Sequence, residues 1–185
     1  MSSDSVRRLF LGIPLPDFVE KSLLGWQETQ PRLPGIKWVR HDQWHLTVYF
    51  FGGVEEEMMG NLESLIQLAL REQKSFELSF QGWATAPPRK EPRMLWARYQ
   101  RHPEFDGMVA KLRGLYQQIQ PDLPSRFKPI PHVTLARLKT PDLAREITWP
   151  EKSLPNFQVK EVVLWESELT PEGPEYQIAR RYRLR

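Results

Sequence analysis

The chain has 185 residues, of which 40% are hydrophobic and 26% charged, the composition of an ordinary globular protein rather than a disordered one. Lys and Arg outnumber Asp and Glu by only 26 to 23, too small an excess for a protein that covers duplex DNA but enough for a site that holds one or a few phosphates. The chain contains no cysteine and no apolar run of about 18 residues, so we expect no disulfide, no membrane span and a cytoplasmic location.

Hydrophobic periodicity, punctuated by 17 prolines, predicts a mixture of strands and helices. The helix over 55–72 has the clearest pattern, because its apolar residues fall on one face and glutamates fill its first turn. Because strands and helices do not strictly alternate and no linker divides the chain, we expect one α+β domain over residues 1–185. In chain order, the predicted strands cover 8–13, 36–39, 44–51, 75–83, 94–99, 132–138, 159–168 and 176–184, and the predicted helices cover 17–30, 55–72 and 103–120.

A weak internal repeat leads to two histidines. Residues 9–45 and 94–132 are each predicted to form a strand, a helix and a second strand that starts at a histidine. The histidine follows the start of its unit by 36 residues in the first case and by 38 in the second. We therefore expect a bilobal fold, in which two pseudo-symmetric lobes of antiparallel sheet carry helices on the outside and meet at a central cleft.

The two histidines begin strands of the same pattern, His-apolar-Thr-apolar. Because side chains alternate between the faces of a strand, His45 and Thr47 share one face, and Phe50 is expected on the opposite face. In the same way, His132 and Thr134 share a face. Two such strands at a common cleft would present two imidazoles and two hydroxyls to a ligand.

This set of groups suits the cleavage of a phosphodiester. An attacking water must lose a proton and the departing ribose oxygen must gain one, and two imidazoles can do both near neutral pH. Threonine hydroxyls can stabilise charge on the phosphate oxygens, and no metal is needed. A single histidine on a strand is most often a surface or core residue, but here two of only four histidines share one frame. The residues alone leave both interpretations open.

The segments HLTVYF (45–50) and HVTLAR (132–137) resemble the paired motifs of the two-histidine phosphoesterase superfamily. The closest resemblance is to its bacterial and archaeal branch, the RNA 2′,3′-cyclic phosphodiesterases, also called 2′-5′ RNA ligases. The resemblance extends over nearly the whole chain. Shorter matches lie at 8–14, 38–39, 52–53, 95–96, 167–169 and Tyr176.

The resemblance implies cofactor-free and metal-independent hydrolysis of an RNA terminal 2′,3′-cyclic phosphate to a 2′-phosphomonoester. Any 2′-5′ ligation would be the reversal of a transesterification. It implies His45 as proton donor and His132 as proton acceptor, with the two threonines as phosphate donors. It also implies RNA 3′ ends or tRNA fragments as partners, and we expect a monomer. Arg137 is similar to a family arginine that contacts the phosphate, although alternation puts it on the face opposite His132, so we predict that the strand ends or bulges there.

Four aromatic residues are candidates to stack on the terminal base, namely Phe10, Tyr49, Trp83 and Trp96, although core packing is the commoner role of such residues. Phe127 resembles an aromatic that family members commonly have before the second motif. Phe127 lies two residues further from His132 than the family pattern has it. His41 and His45 have a spacing known from zinc helices, but the segment is predicted as a turn entering a strand. The alternative functions are a phosphodiesterase for small cyclic nucleotides or ADP-ribose cyclic phosphate, and a non-catalytic module that binds RNA or nucleotides.

Overall fold

The part of the chain that the computed structural model describes, residues 6–120, 129–171 and 173–185, forms an eight-stranded sheet, a two-stranded sheet and three α-helices. None of the described helices is both long and apolar enough to cross a membrane. The strands are β1 (Val6–Pro14), β2 (Ile36–Trp38), β3 (His45–Glu55), β4 (Phe76–Leu78), β5 (Phe80–Ala86), β6 (Met94–Tyr99), β7 (His132–Leu138), β8 (Phe157–Val159), β9 (Glu161–Thr170) and β10 (Gly173–Arg183), and the α-helices are α1 (Asp17–Glu28), α2 (Met59–Leu70) and α3 (Pro103–Ile119).

Antiparallel pairing joins the strands of the main sheet in the order β10-β9-β1-β3-β7-β6-β5, with β2 also paired to β7. The predicted α+β class, with antiparallel sheet, is therefore confirmed. The two histidine strands, β3 and β7, are neighbours in the middle of this order, and they pair at Leu46 and Val133. Each has the first strand of its own repeat on the outer side, β1 beside β3 and β6 beside β7. The division into two lobes remains a prediction.

Several predicted elements differ in extent from those observed. The helix predicted over 55–72 forms only over Met59–Leu70, so the glutamates precede its first turn, and two of the strands differ as follows. The strand predicted over 75–83 is divided at Ser79 into β4 and β5, and β4 leaves the main sheet to pair with β8. The glycines at 52 and 53 were expected to end β3, but the strand continues to Glu55 because Gly53 and Val54 still pair with β1. Gly52 has a φ of +79°, a conformation that glycine adopts without strain. The register against β1 shifts beside it, since Leu9 pairs with Gly52 and Phe10 with Phe50.

Helix α3 covers the face of β3 that is turned away from the histidines. It begins with Pro103 at its first position, after His102, whose side chain accepts a hydrogen bond from the amide of Glu104. Its apolar residues recur at three- and four-residue spacing and are buried. Tyr116 donates a hydrogen bond from its hydroxyl to the carbonyl of Phe51 (3.2 Å), so the helix is tied to the strand that carries His45.

Candidate active site

A bulge in β3 decides which of its side chains face the cleft. Thr47 pairs with Gly12 of β1, but Tyr49 pairs with the preceding residue, so Val48 is an extra residue in the ladder. Beyond the bulge the alternation is reversed: Tyr49 joins Val48 in the core, and Phe50 turns towards the cleft. The expectation that Phe50 lies on the face opposite His45 is therefore wrong.

A second bulge lies in β7, where one was predicted. Thr134 pairs with Trp96, whereas Ala136 pairs with Leu95, so Leu135 is the extra residue. Leu135 and Ala136 are both fully buried, and the next side chain, Arg137, returns to the face of His132. The predicted bulge is confirmed, and it explains how the arginine reaches the cleft.

A cavity of about 440 Å³ lies over the face of β3 and β7 that carries the two histidines. Its walls include both histidines, both threonines and Arg137, so the structure brings these five predicted residues together. The volume lies within the range of sites for small molecules.

His45 has a defined tautomer. Its Nδ1 lies 2.8 Å from the carbonyl oxygen of Gln43, which can only accept, so Nδ1 carries a hydrogen. The other nitrogen, Nε2, lies 3.1 Å from Oγ1 of Thr47. In the neutral ring Nε2 accepts a hydrogen bond from the threonine hydroxyl, so this nitrogen is the one available for proton exchange.

His132 is held in the same way. Its Nδ1 lies 2.6 Å from the carbonyl oxygen of Ile130, so Nε2 is again the nitrogen free to exchange a proton. The ring stacks on Trp96, with the ring centres 3.8 Å apart. In both histidines the anchoring carbonyl belongs to the residue two positions earlier in the chain.

Burial governs the charge of both imidazoles. It lowers the pKa of His45 to about 4, against an opposing effect of the Gln43 carbonyl and with a small contribution from His132. Burial also lowers the pKa of His132, where the nearby guanidinium of Arg98 acts in the same direction. Both rings are consequently neutral at pH 7 while the cavity contains no anion.

Because the pKa of His45 is lowered in the folded protein, the free energy of unfolding is expected to depend on pH. In the unfolded chain the ring binds a proton below pH 6.5, whereas the folded protein resists protonation until about pH 4. The unfolded state binds more protons between these values, so the free energy of unfolding is expected to fall as pH drops through that window. The loss is about 2–3 kcal/mol at 1.36 kcal/mol per pH unit. Denaturant unfolding from pH 7 to pH 4 measures it.

A variant that lacks the imidazole of His45 provides the comparison. His45→Gln is expected to flatten the dependence of stability on pH, and His41→Gln, on the exposed turn before β3, is the matched variant. A slope that is equal in the wild type and in His45→Gln would contradict the assignment of the titrating group.

The predicted aromatic residues have different environments. Phe10 lines the cavity and lies with its ring centre 4.6 Å from that of His45, so it supports the imidazole as well as the cleft wall. Tyr49 does not reach the cavity: it is only 7% exposed and packs on Phe51 and Tyr116. The structure thus places Tyr49 in the core, because the bulge at position 48 reverses its direction. Phe127 lies outside the described residues.

Phe50 is the aromatic residue that the alternation argument missed. Its side chain is 41% exposed and lines the cavity, and the guanidinium of Arg8 lies 4.9 Å from its ring centre. Only the register between β1 and β3 reveals this position, because the residue letters around it do not mark the bulge.

Gly12 gives the back of the site its shape, because β1 passes close to the ring of His45. A Cβ at this position would lie 2.9 Å from the carbonyl oxygen of Leu46, 3.0 Å from the ring of Trp165 and 3.3 Å from Cδ2 of His45. Gly12→Ala is therefore expected to displace both rings and to destabilise the fold by about 1–3 kcal/mol. Gly25 on α1 has nothing within 4 Å, so Gly25→Ala is the control and should stabilise by about 0.5–1 kcal/mol. Unfolding curves of the two variants test this; equal stabilities would contradict it.

Across the described ranges, no group of three or more His, Cys, Asp or Glu side chains has the arrangement to hold a metal ion. His41 lies on an exposed three-residue helical turn, His41–Gln43, rather than on the helix that the zinc spacing requires.

The match of the sequence to a family model shows the family of the protein. The model of the 2′-5′ RNA ligase superfamily matches residues 16–171, most of the chain. The chain belongs to the 2′-5′ RNA ligase superfamily.

Relatives and solved structures agree with this membership. An RNA 2′,3′-cyclic phosphodiesterase of Methanocaldococcus jannaschii is 28% identical over 95% of this chain and 99% of its own length, and one of Thermus thermophilus is 29% identical over 96% and 90%. The crystal structure of TT0787 of Thermus thermophilus superposes with a TM-score of 0.79 at 28% identity, covering 96% of this chain and 97% of the other. Escherichia coli LigT complexed with 3′-AMP, at 23% identity and a TM-score of 0.76 over 97% and 99%, shares the fold.

Proposed function

We propose that the protein hydrolyses the 2′,3′-cyclic phosphate at the end of an RNA, leaving a 2′-phosphomonoester. The observation that carries this proposal is the pair of imidazoles that share one cavity, each with Nδ1 held by a backbone carbonyl and with Nε2 available. The names of the relatives, RNA 2′,3′-cyclic phosphodiesterase, support the choice of substrate.

In the proposed reaction, Nε2 of His132 takes a proton from a water molecule as the water oxygen attacks phosphorus. The bond between phosphorus and the 3′ oxygen breaks, and Nε2 of His45 gives a proton to that oxygen. Thr47, Thr134 and Arg137 hold the non-bridging oxygens, whose charge increases in the transition state. One water is consumed, the 2′ oxygen keeps the phosphate, and each proton has a carrier, so the reaction requires neither metal nor cofactor.

The charge beside one of the rings supports its role. Arg98 opposes protonation of His132, which favours a neutral ring that can accept a proton. The lowered pKa of His45 is due chiefly to burial, with a smaller contribution in the same direction from His132. A phosphate bound in the cavity raises the pKa of His45, because a nearby anion favours the imidazolium. The substrate itself therefore helps to create the proton donor.

The same groups can also join two RNA ends. If the 5′-hydroxyl of a second RNA takes the place of water, its oxygen attacks the cyclic phosphate and forms a 2′-5′ linkage, while the 3′ oxygen again takes the proton. No nucleoside triphosphate is needed, since the ring of the cyclic phosphate supplies the driving force. We include this 2′-5′ ligation in the proposal as a secondary activity.

The test is the opening of an RNA 2′,3′-cyclic phosphate in the presence of EDTA, followed by identification of the product. Full activity with EDTA and a 2′-phosphate product are expected, with a bell-shaped dependence on pH because one ring must be neutral and the other protonated. Abolition of the activity by chelation would refute the mechanism. A 3′-phosphate product would refute the bond assignment alone, and tight nucleotide binding without turnover would favour a binding module.

A further inference from the structure

An open groove continues from the cavity along β2 and β7. Its volume is about 330 Å³, and it shares Lys37 and Arg137 with the cavity wall. A ligand seated against the two histidines can therefore extend past Arg137 along the protein surface. The groove is completed by Gly35, Ile36, Leu138 and Lys139.

The groove is cationic along its length. Lys37 is paired with Arg137 in the register of β2 and β7, so their side chains lie side by side. Lys139 follows two residues after Arg137, and the intervening Leu138 is buried, so both cations are on the same face. Within the ranges that the structure describes, neither Arg137 nor Lys139 forms an ion pair with a carboxylate. An anion beside Arg137 or Lys139 would therefore not have to displace an acidic side chain of the described residues.

The spacing of these cations suits a nucleic acid strand. Residues two apart on a strand are about 6.6 Å apart, comparable with the distance between successive phosphates in an extended single strand. If the cyclic phosphate lies beside Arg137, the phosphate on the 5′ side of the same nucleotide is the next anion along the strand. Lys139 is the next cation.

We propose that Lys139 binds the internucleotide phosphate on the 5′ side of the terminal nucleotide, so that the β2–β7 groove selects RNA strands over isolated nucleosides. This inference rests on the proposed function for its orientation, because it takes the cyclic phosphate to lie at the histidines. It adds a second phosphate position outside the cavity in which the reaction takes place.

Three substrates with the same terminal nucleoside test it: a nucleoside 2′,3′-cyclic phosphate, its 5′-phosphorylated form, and a dinucleotide ending in the cyclic phosphate. The dinucleotide should have a kcat/KM roughly two- to fivefold higher than the nucleoside, as expected for one exposed ion pair. Lys139→Gln should remove this gain and leave the nucleoside unaffected. A gain confined to the 5′-phosphorylated nucleoside would overturn the strand assignment, because the groove would then recognise a terminal phosphate monoester.

Matched variants separate a local contact from a general effect of charge. Lys111→Gln removes the same charge from an exposed position of α3, outside the cavity and the groove. This variant should keep the higher kcat/KM of the dinucleotide. Lys139→Glu should lower kcat/KM for the dinucleotide by roughly the square of the loss in Lys139→Gln, because repulsion replaces attraction. In Lys139→Gln the dinucleotide reaction should also depend less on salt. The slope of log kcat/KM against the logarithm of the salt concentration should become shallower by about 0.7, the value for one lost phosphate contact. Equal losses in Lys111→Gln and Lys139→Gln would overturn the inference.

A binding measurement keeps the inference distinct from the proposed function. The wild type should bind a nucleoside 3′,5′-bisphosphate more tightly than the nucleoside 3′-phosphate. Lys139→Gln should bind the two ligands with equal Kd values. This result can be obtained whether or not the cyclic phosphate is hydrolysed. Lack of turnover would refute the proposed function, whereas equal Kd values for the two ligands in the wild type would refute the second phosphate position.

Discussion

Replacing His45 or His132 by alanine is expected to slow opening of the RNA cyclic phosphate by about 10²- to 10⁴-fold, the usual contribution of one general acid or base. Each ring has one nitrogen held by the backbone and one available in the cavity, so its removal takes away one carrier of the proposed proton transfer. Steady-state kcat/KM on a terminal cyclic phosphate measures the loss. A near wild-type rate in either variant would refute the mechanism.

The double variant provides a stricter measurement. Because the two rings would act in one proton-transfer sequence, removing both should cost little more than removing one, as found for catalytic groups that work as a unit. His102→Ala is the control, since that imidazole caps α3 and packs on Phe76 outside the cavity. Losses that multiply in the double variant would show that the rings contribute independently.

Removing a threonine hydroxyl is expected to have the next largest effect. Thr47→Val and Thr134→Val should each reduce kcat by about 10²- to 10³-fold, the cost of losing one donor to a developing negative charge. Loss in kcat rather than a rise in KM is the expected signature, since these donors act most strongly in the transition state.

Two comparisons separate the hydroxyl from the shape of the residue. Thr47→Ser and Thr134→Ser keep the donor and should recover most of the rate, and Thr85→Val, at an exposed position of β5, should behave as wild type. The hydroxyls would have no catalytic role if the serine variants were as slow as the valine variants.

The sequence predicted the order of strands and helices well because hydrophobic periodicity is a local property. It also predicted the bulge before Arg137, since an arginine at that distance from His132 can reach the same face only if the alternation is broken. The adjacency of β3 and β7 followed from the repeat, and the ladder contains the pair Leu46–Val133.

Positions that depend on pairing between distant strands could not be predicted. The bulge at Val48 is defined by the register of β3 against β1, and nothing in the letters HLTVYF indicates it. As a result Tyr49 was expected near the ligand and Phe50 away from it, and the structure exchanges them. The restraint that Gly12 places on His45 likewise arises from the close approach of two strands, which composition and periodicity do not describe.

The hydrogen bond from each histidine to a carbonyl two residues earlier has a consequence for how the site assembles. The orientation and the tautomer of each imidazole are fixed within a three-residue segment, Gln43 to His45 in one half and Ile130 to His132 in the other. The hydrogen bond to Nδ1 therefore sets the tautomer of each ring before β3 and β7 dock. Packing against Phe10 and Gly12 on one side and Trp96 on the other completes the placement of the rings.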